Sequence, residues 1–407
     1  MKESTEWQSQ KKDDQKQTNE PTVQCGKFLY RPWSNAITVT HIMLVIEPVW
    51  FVVISKVFPS FKSSKKRVKK RSNNSLIKIA LDAMGGDNAP EEIIKGARFA
   101  VENFNIEIVL VGDQAVIRNY FDHHPRISVV HASQSIEMEE SPLQAYKKKK
   151  DSSIHVGLNL VKDGQAQAFL SAGNTGAVMS CSLFILGRIP GVDRPALASV
   201  IPTKKGHALM LDMGSNVDSK PIHLEQYALM GHFFSSQVLH VDNPKVGLIN
   251  IGEEEEKGNQ LTQEAYEHLK ENGTLNFVGN LEGKDILFHK ADVIVCDGFV
   301  GNTLLKFGEG LVDFILSEIK QGVQNGSILS KIGAVLMKPV FKKIKKRIDY
   351  EEYGGAPLLG INGVSLVAHG KSSEKAIASA IRTAIEAVET GMIQKISSAI
   401  QKEYVTQ

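Results

Sequence analysis

Five loops in this chain share one unusual make-up, an acidic, hydroxyl or amide side chain set among glycines: Asp82-Ala-Met-Gly-Gly-Asp-Asn-Ala-Pro90, Ser171-Ala-Gly-Asn-Thr-Gly-Ala177, Asp212-Met-Gly-Ser-Asn216, Gly252-Glu-Glu-Glu-Glu-Lys-Gly258 and Asp297-Gly-Phe-Val-Gly-Asn302. The second has the physics of an anion cradle. Gly173 and Gly176 let backbone N–H groups approach a ligand, Asn174 and Thr175 add side-chain donors, and a helix starting near Ala177 turns its positive end to the same spot. Taken alone, such a loop also reads as a tight turn with a helix cap. Other chemistries lack their signatures. The spacing G-x-G-x-x-G of a dinucleotide site is absent, because Gly85 and Gly86 are adjacent and Pro90 follows. There is no G-x-x-x-x-G-K-[ST] phosphate loop and no H-E-x-x-H pair. The run Glu253–Glu256 has no histidine cluster beside it and reads as a solvated loop rather than a metal site.

Each of these loops follows a short apolar run. The strand candidates are Ile77–Asp82, Ile106–Val111, Ser128–His131, Ala168–Ser171, Ala208–Asp212, Val246–Ile251, Asn276–Val278 and Val293–Asp297, with helical patterns between most of them, such as Pro90–Asn103, Ser153–Lys162 and Leu261–Asn272. Alternating strands and helices predict an α/β fold, a mostly parallel sheet with helices on both faces. Ligands of such sheets bind outside the carboxyl ends of the strands, where the five loops fall. The stretch 304–348 differs: two amphipathic helices, separated at Gly326, form a helical hairpin inserted in the domain, and Pro339 interrupts the second pattern.

A net charge of +3 over 407 residues gives no reason to expect a nucleic-acid partner. Cys25, Cys181 and Cys296 are far apart with no CxxC pair, which excludes a disulfide framework and a structural zinc site and fits a reducing compartment. Residues 1–75 form an extension: a polar, disordered segment, then the apolar run Ala36–Ile54 and the basic patch Lys62, Lys65, Lys66, Arg67, Lys69, Lys70 and Arg71. The apolar run barely reaches the ~20 residues a membrane span requires, and Glu47 and Pro48 interrupt it. A membrane span, a membrane-surface segment and a non-functional extension all remain open readings.

The five motifs in order, with Tyr353-Gly-Gly-Ala-Pro-Leu-Leu-Gly-Ile-Asn-Gly363 and His369-Gly370, resemble the bacterial acyl-acyl-carrier-protein:phosphate acyltransferases from about Ile77 to Ile396. The departures are small: Ser215 where alanine is usual, and Lys147–Lys150 in place of a mixed basic run. The resemblance implies a domain over 76–396 with the fold of the isocitrate and isopropylmalate dehydrogenases and the phosphotransacetylases, a homodimer, and no metal or organic cofactor. It implies transfer of a fatty acyl group from acyl carrier protein to inorganic phosphate, with Lys257 and Asn302 as catalytic residues. Lys257 is suited to neutralise phosphate or the forming oxyanion, and Asn302 to donate a hydrogen bond to the carbonyl. Ser171, Gly173, Asn174, Thr175, Gly176, Asp212, Asn216, Asp82, Gly85, Gly86, Asp297 and His369 complete the expected phosphate and substrate site, with the aspartates, Asp87 among them, as orienting partners. His369 reads as a structural histidine before it reads as an acid to the leaving thiolate. The alternatives are a phosphotransacetylase-like enzyme using acyl-coenzyme A and a non-catalytic carrier-binding module.

Two surfaces follow from that reading. Lys147–Lys150 with Arg188 and Arg194 form a basic face for the acidic carrier. In the hairpin, Ile328, Leu329, Ile332, Val335 and Leu336 form an apolar stripe beside Lys338, Lys342, Lys343, Lys345, Lys346 and Arg347, which suits peripheral contact with the inner face of the cell membrane by a cytoplasmic enzyme.

Overall fold

Alternate residues of the strands face opposite cores. Ile79 and Leu81 of β1 (Ile77–Asp82) pack in one apolar cluster and Ala80 in the other. The same division separates Ile108 and Leu110 from Val109 and Val111 in β2 (Ile106–Gly112), and Leu209 and Leu211 from Ala208 and Met210 in β6 (Gly206–Leu211). A sheet apolar on both faces must be covered on both, which is why helices alternate with the strands. The computed structural model describes residues 76–348 and 354–405. Expectations for the extension, including Ala36–Ile54 and its basic patch, lie outside the described residues.

The remaining strands are β3 (Ile127–His131), β4 (Ala168–Ser171), β5 (Ala196–Thr203), β7 (Lys245–Ile249), β8 (Asn276–Leu281), β9 (Val293–Val295), β10 (Ala356–Leu359) and β11 (Val364–Val367). All eleven join one sheet in the order β3-β2-β1-β4-β11-β10-β5-β6-β9-β7-β8. It contains two parallel blocks. Strands β3, β2, β1, β4 and β11 run one way. Strands β6, β9, β7 and β8 run together in the other block. Between the blocks, β10 is antiparallel to β11, β5 to β10 and β6 to β5. Three reversals turn the second block opposite to the first, so the carboxyl ends of β1 and β4 point to one edge of the sheet and those of β6, β7 and β9 to the other.

The helices are α1 (Glu91–Asn103), α2 (Gln114–Arg118), α3 (Pro142–Lys148), α4 (Ser153–Lys162), α5 (Thr175–Leu186), α6 (Pro221–Gln237), α7 (Gln260–Glu271), α8 (Gly283–Phe288), α9 (Gly298–Asn325), α10 (Ile328–Ile348), α11 (Glu374–Glu389) and α12 (Met392–Tyr404). Close approach sets their packing: a Cβ on Gly96 of α1 would lie 2.6 Å from the Ile377 Cβ of α11.

Four sequence expectations change. The strands β5, β10 and β11 are not among the sequence expectations: Ala356–Leu359 and Val364–Val367 are too short to carry a period, and the eight-residue β5 shows no clean alternation. The first hairpin helix starts at Gly298 rather than Leu304, because the Asp297 carboxylate accepts the Val300 N–H at 2.9 Å and caps it there. The second runs through Pro339 to Ile348. Proline withholds one helical N–H, and the carbonyl it leaves is that of Val335, a residue on the exposed surface. The ordered chain also continues past Ile396, through α12.

Candidate active site

The sheet separates the predicted site residues into two groups. At the carboxyl edge of the first block, Asp82 is fully buried; its carboxylate accepts the Ser171 hydroxyl at 2.6 Å and the Met84 N–H at 3.0 Å. Burial pushes the Asp82 carboxyl above its ordinary range, and bonds from Ser171, Ser153 and the Met84 and Gly85 backbone oppose that rise. The Ser171 Oγ in turn accepts the Gly173 N–H at 3.0 Å. A Cβ on Gly85 would lie 2.5 Å from the Asp82 Oδ2 and 2.7 Å from the Gly173 nitrogen, so only glycine lets the two loops meet.

Asn174 is committed to the protein itself. Its Oδ1 accepts the Ala177 N–H at 3.0 Å and caps α5, and its Nδ2 reaches the carbonyls of Glu137 (3.2 Å), Met138 (2.9 Å) and Glu140 (3.0 Å). The Asn174 side chain expected to serve an anion cradle is thus engaged; Asn174 and Gly173 are buried, and an added Cβ on half-buried Gly176 would lie 2.5 Å from Pro142. Of that loop only Thr175 is exposed. Gly86, with φ 109°, turns the chain so that Asp87 N–H donates to the Gly370 carbonyl at 2.7 Å, next to exposed His369, whose Nδ1 accepts the Lys371 N–H at 3.1 Å.

At the opposite edge, Asp212 follows β6 and is also fully buried. Its Oδ1 accepts N–H groups of Leu197 (3.2 Å) and Ser215 (3.0 Å), and its Oδ2 those of Asn216 backbone (2.7 Å) and side chain (2.9 Å). Burial raises its pKa, against the pull of those bonds from Ser215 and Asn216. Asn216 ties three segments: its Nδ2 also donates to Pro195 O at 2.7 Å, and its carbonyl accepts the Gly298 N–H at 2.9 Å. Helix α9 thus starts against the Asp212 loop. Gly301 rests on the Asp212 carbonyl so closely that no side chain fits.

Above this platform the side chains point to solvent. Asn302 is exposed and lies over Gly214, whose φ of 122° disfavours any other residue and whose added Cβ would meet the Asn302 Cβ at 3.4 Å. Lys257 is exposed on the loop after β7, the second neighbour of β6. That loop is held from below. Asn250 Nδ2 donates to Lys257 O at 3.0 Å, Asn280 Nδ2 to Glu254 O at 2.8 Å and Gln263 Nε2 to Glu256 O at 2.6 Å. Its carboxylates have partners of their own: Glu253 pairs with Lys290 (2.6 Å) and Glu255 with Lys270 (2.9 Å). Among the described residues Lys257 has no ion pair, and no cluster of histidine, cysteine and carboxylates is arranged to hold a metal.

Several contributors escaped the sequence reading. Pro195 and Leu197 of the β5 entry, Asn250 under the Lys257 loop and Tyr227 beneath Asp212 carry no local motif. The Tyr227 hydroxyl is wholly buried without a hydrogen bond of normal geometry; its pKa is raised by burial and then by the Asp212 charge. Cys181 and Cys296 are free, buried thiols; burial pushes Cys181 up to about 12 and Cys296 well up, so neither is a nucleophile.

The chain matches the family described as "Fatty acid synthesis protein" over residues 77–395. It is 52% identical over 325 residues to a phosphate acyltransferase of Thermoanaerobacterium thermosaccharolyticum, covering 80% of this chain and 97% of that one. It is 50% identical over 330 residues to one from Desulfitobacterium hafniense, covering 80% and 98%. Among solved structures it is similar to a phosphotransacetylase from Streptococcus pyogenes (TM-score 0.52, 16% identity, 77% of this chain and 94% of that one). A branched-chain phosphotransacylase from Enterococcus faecalis is comparable (TM-score 0.51, 14% identity, 77% and 99%). At those identities the likeness is one of fold, and it agrees with the α/β architecture.

Proposed function

This chain belongs to the phosphate acyltransferase family, and from that premise we propose that it transfers a fatty acyl group from acyl carrier protein to inorganic phosphate, giving acyl phosphate for phospholipid synthesis. A phosphate oxygen attacks the thioester carbonyl carbon; a C–O bond forms, the C–S bond breaks, and the carrier thiolate leaves with the electron pair and is protonated by solvent. Phosphate is itself the nucleophile, so no side chain needs to form a covalent intermediate. Lys257 neutralises the phosphate and the forming oxyanion, and Asn302 donates to the carbonyl oxygen as it gains charge. The first turn of α9 adds its positive end. Asp212, Asn216 and Asp297 are positioning residues that hold these two in place.

The observation that carries this assignment is the contrast between committed and free side chains. Lys257 and Asn302 face solvent above a platform whose own polar groups are bonded to one another. The test follows phosphate-dependent loss of an acyl thioester, with acyl carrier protein and coenzyme A as alternative donors. Turnover of the carrier thioester is the expected result. Turnover of the coenzyme A thioester alone would favour a phosphotransacetylase-like reaction, and binding without turnover a carrier-binding module.

Three associations belong to the same reading. The acidic carrier docks on a basic side wall: Lys147 and Lys148 are exposed on α3, whose Tyr146 stacks at 4.7 Å on Phe184 of α5, and exposed Arg188 follows that helix, with Arg194 beyond it. A second copy packs on the hairpin to form a homodimer. The hairpin tip rests on the inner face of the cell membrane: Ile328, Leu329, Val335 and Leu336 are each at least 70% exposed, and Lys338, Lys342 and Lys343 follow along the same helix. Among the described residues no helix is long and apolar enough to cross a membrane. Leu329→Glu with Val335→Glu should abolish co-sedimentation with anionic vesicles and leave soluble turnover intact; unchanged sedimentation would remove the tip from membrane contact.

A further inference from the structure

Building on the acyl-transfer reading, we propose that a phenylalanine stripe on α9, formed by Phe299, Phe307 and Phe314, is the track on which the donor's fatty acyl chain lies, leading from Asn302 toward the hairpin tip. The chain hangs from the carbonyl carbon that reacts at Lys257 and Asn302, so its first methylenes must pass the surface bordering those residues.

That surface is apolar on three separate elements. Val217, next to Asn216, is 60% exposed; Ile251, on the Lys257 loop, 81%; and Phe299, one turn before Asn302, 63%. The Gly298–Asn216 backbone bond at 2.9 Å sets the Val217 and Phe299 backbones beside each other. The apolar surface then continues outward. Phe307 and Phe314 are 67% and 60% exposed and follow Phe299 at intervals near two turns, which puts the three rings within an arc of roughly 80°. Their span along the axis is about 22 Å, ample for one chain, since two leaflets of such chains make a hydrocarbon core of ~30 Å.

The base of α9 is already anchored elsewhere, by Val300, Leu304 and Leu305 against the second core cluster. The phenylalanines are therefore not needed to seat the helix, and three exposed aromatic rings in line with a site mark a ligand or partner surface. A second copy of the hairpin is the competing occupant. Continuity with Asn302 favours the chain, because a dimer contact has no reason to begin at the reacting carbonyl.

The experiment compares palmitoyl and butyryl thioesters of acyl carrier protein as donors to the full chain and to its Phe307→Ser, Phe314→Ser and Phe307→Leu variants, with molar mass read by light scattering. Each serine variant should lower kcat/KM for the palmitoyl donor about tenfold, the scale of one uncovered apolar side chain. The butyryl rate should stay within about twofold, Phe307→Leu should keep most of the palmitoyl rate, and the mass should not change. Equal losses with both donors, no loss with either, or a fall in mass would overturn the track, the last assigning the stripe to a contact between copies. A wild-type protein with no phosphate-dependent turnover of the palmitoyl donor would instead overturn the acyl-transfer reading beneath it.

Discussion

The Asp82–Ser171–Asn174 loops and the Asp212–Lys257–Asn302 loops are written in the same residues and meet different ends. In the first group the buried polar side chains of Asp82, Ser171 and Asn174 all have protein partners: Asn174 alone bonds three carbonyls and one N–H. In the second, the bonding stops one layer lower. Asp212 and Asn216 complete a platform, and the Asn302 and Lys257 side chains stand above it. Composition alone does not separate a structural loop from a functional one; the fate of each donor and acceptor does.

The largest effect expected from this contrast is kinetic. Lys257→Ala and Asn302→Ala should each lower kcat by about 10²-fold or more, the scale of one lost oxyanion donor, with thermal unfolding close to wild type. Near-normal turnover would dissolve the distinction between the two groups.

Asn174→Ala should behave in the opposite way. It removes a helix cap and strands buried carbonyls, at a cost of about 1–3 kcal/mol in chemical denaturation, while kcat of the folded fraction stays within a few-fold. A large kcat loss at unchanged stability would return Asn174 to the catalytic machinery.

A subtler effect is pH dependence, which the two groups share, because Asp82 and Asp212 are both buried with a raised pKa. Burial holds the Asp82 pKa above its unfolded value. Between the unfolded value near 4 and the raised one, the folded state binds more protons than the unfolded state, so this group's stabilisation is full at the acid end and is lost as pH rises. Asp82→Asn should flatten the fall in melting temperature above about pH 4; an unchanged slope would show that Asp82 is not the group responsible.

The smallest effect concerns the rim. Lys147→Glu with Lys148→Glu should raise the apparent KM for acyl carrier protein a few-fold, more at low salt than at high, and leave kcat alone. No change, with wild-type turnover insensitive to salt, would move the carrier elsewhere.

Much of the fold is legible in the sequence. Short apolar runs, five of them ending in the glycine-rich loops, located eight of the eleven described strands, and the ordered motifs carried the family resemblance that the relatives bear out. Strands β10 and β11 were missed because their pairing, not their four-residue patterns, makes them strands. The Asp297–Asn302 run read as a loop because its capping bond to Val300 is a matter of geometry.

Residue type and order along the chain determined the fold class, the buried faces and the pool of polar loops, since these depend on local periodicity and on chemistry carried by single residues. What only the tertiary structure decided is which loops share an edge. Three antiparallel pairings in mid-sheet reverse the second block and send Asp212, Lys257 and Asn302 away from Asp82 and Asn174. Strand direction is a relation between paired strands, and the pairing that joins the two blocks, β10 with β5, links segments far apart in the chain, so no motif within one loop encodes it.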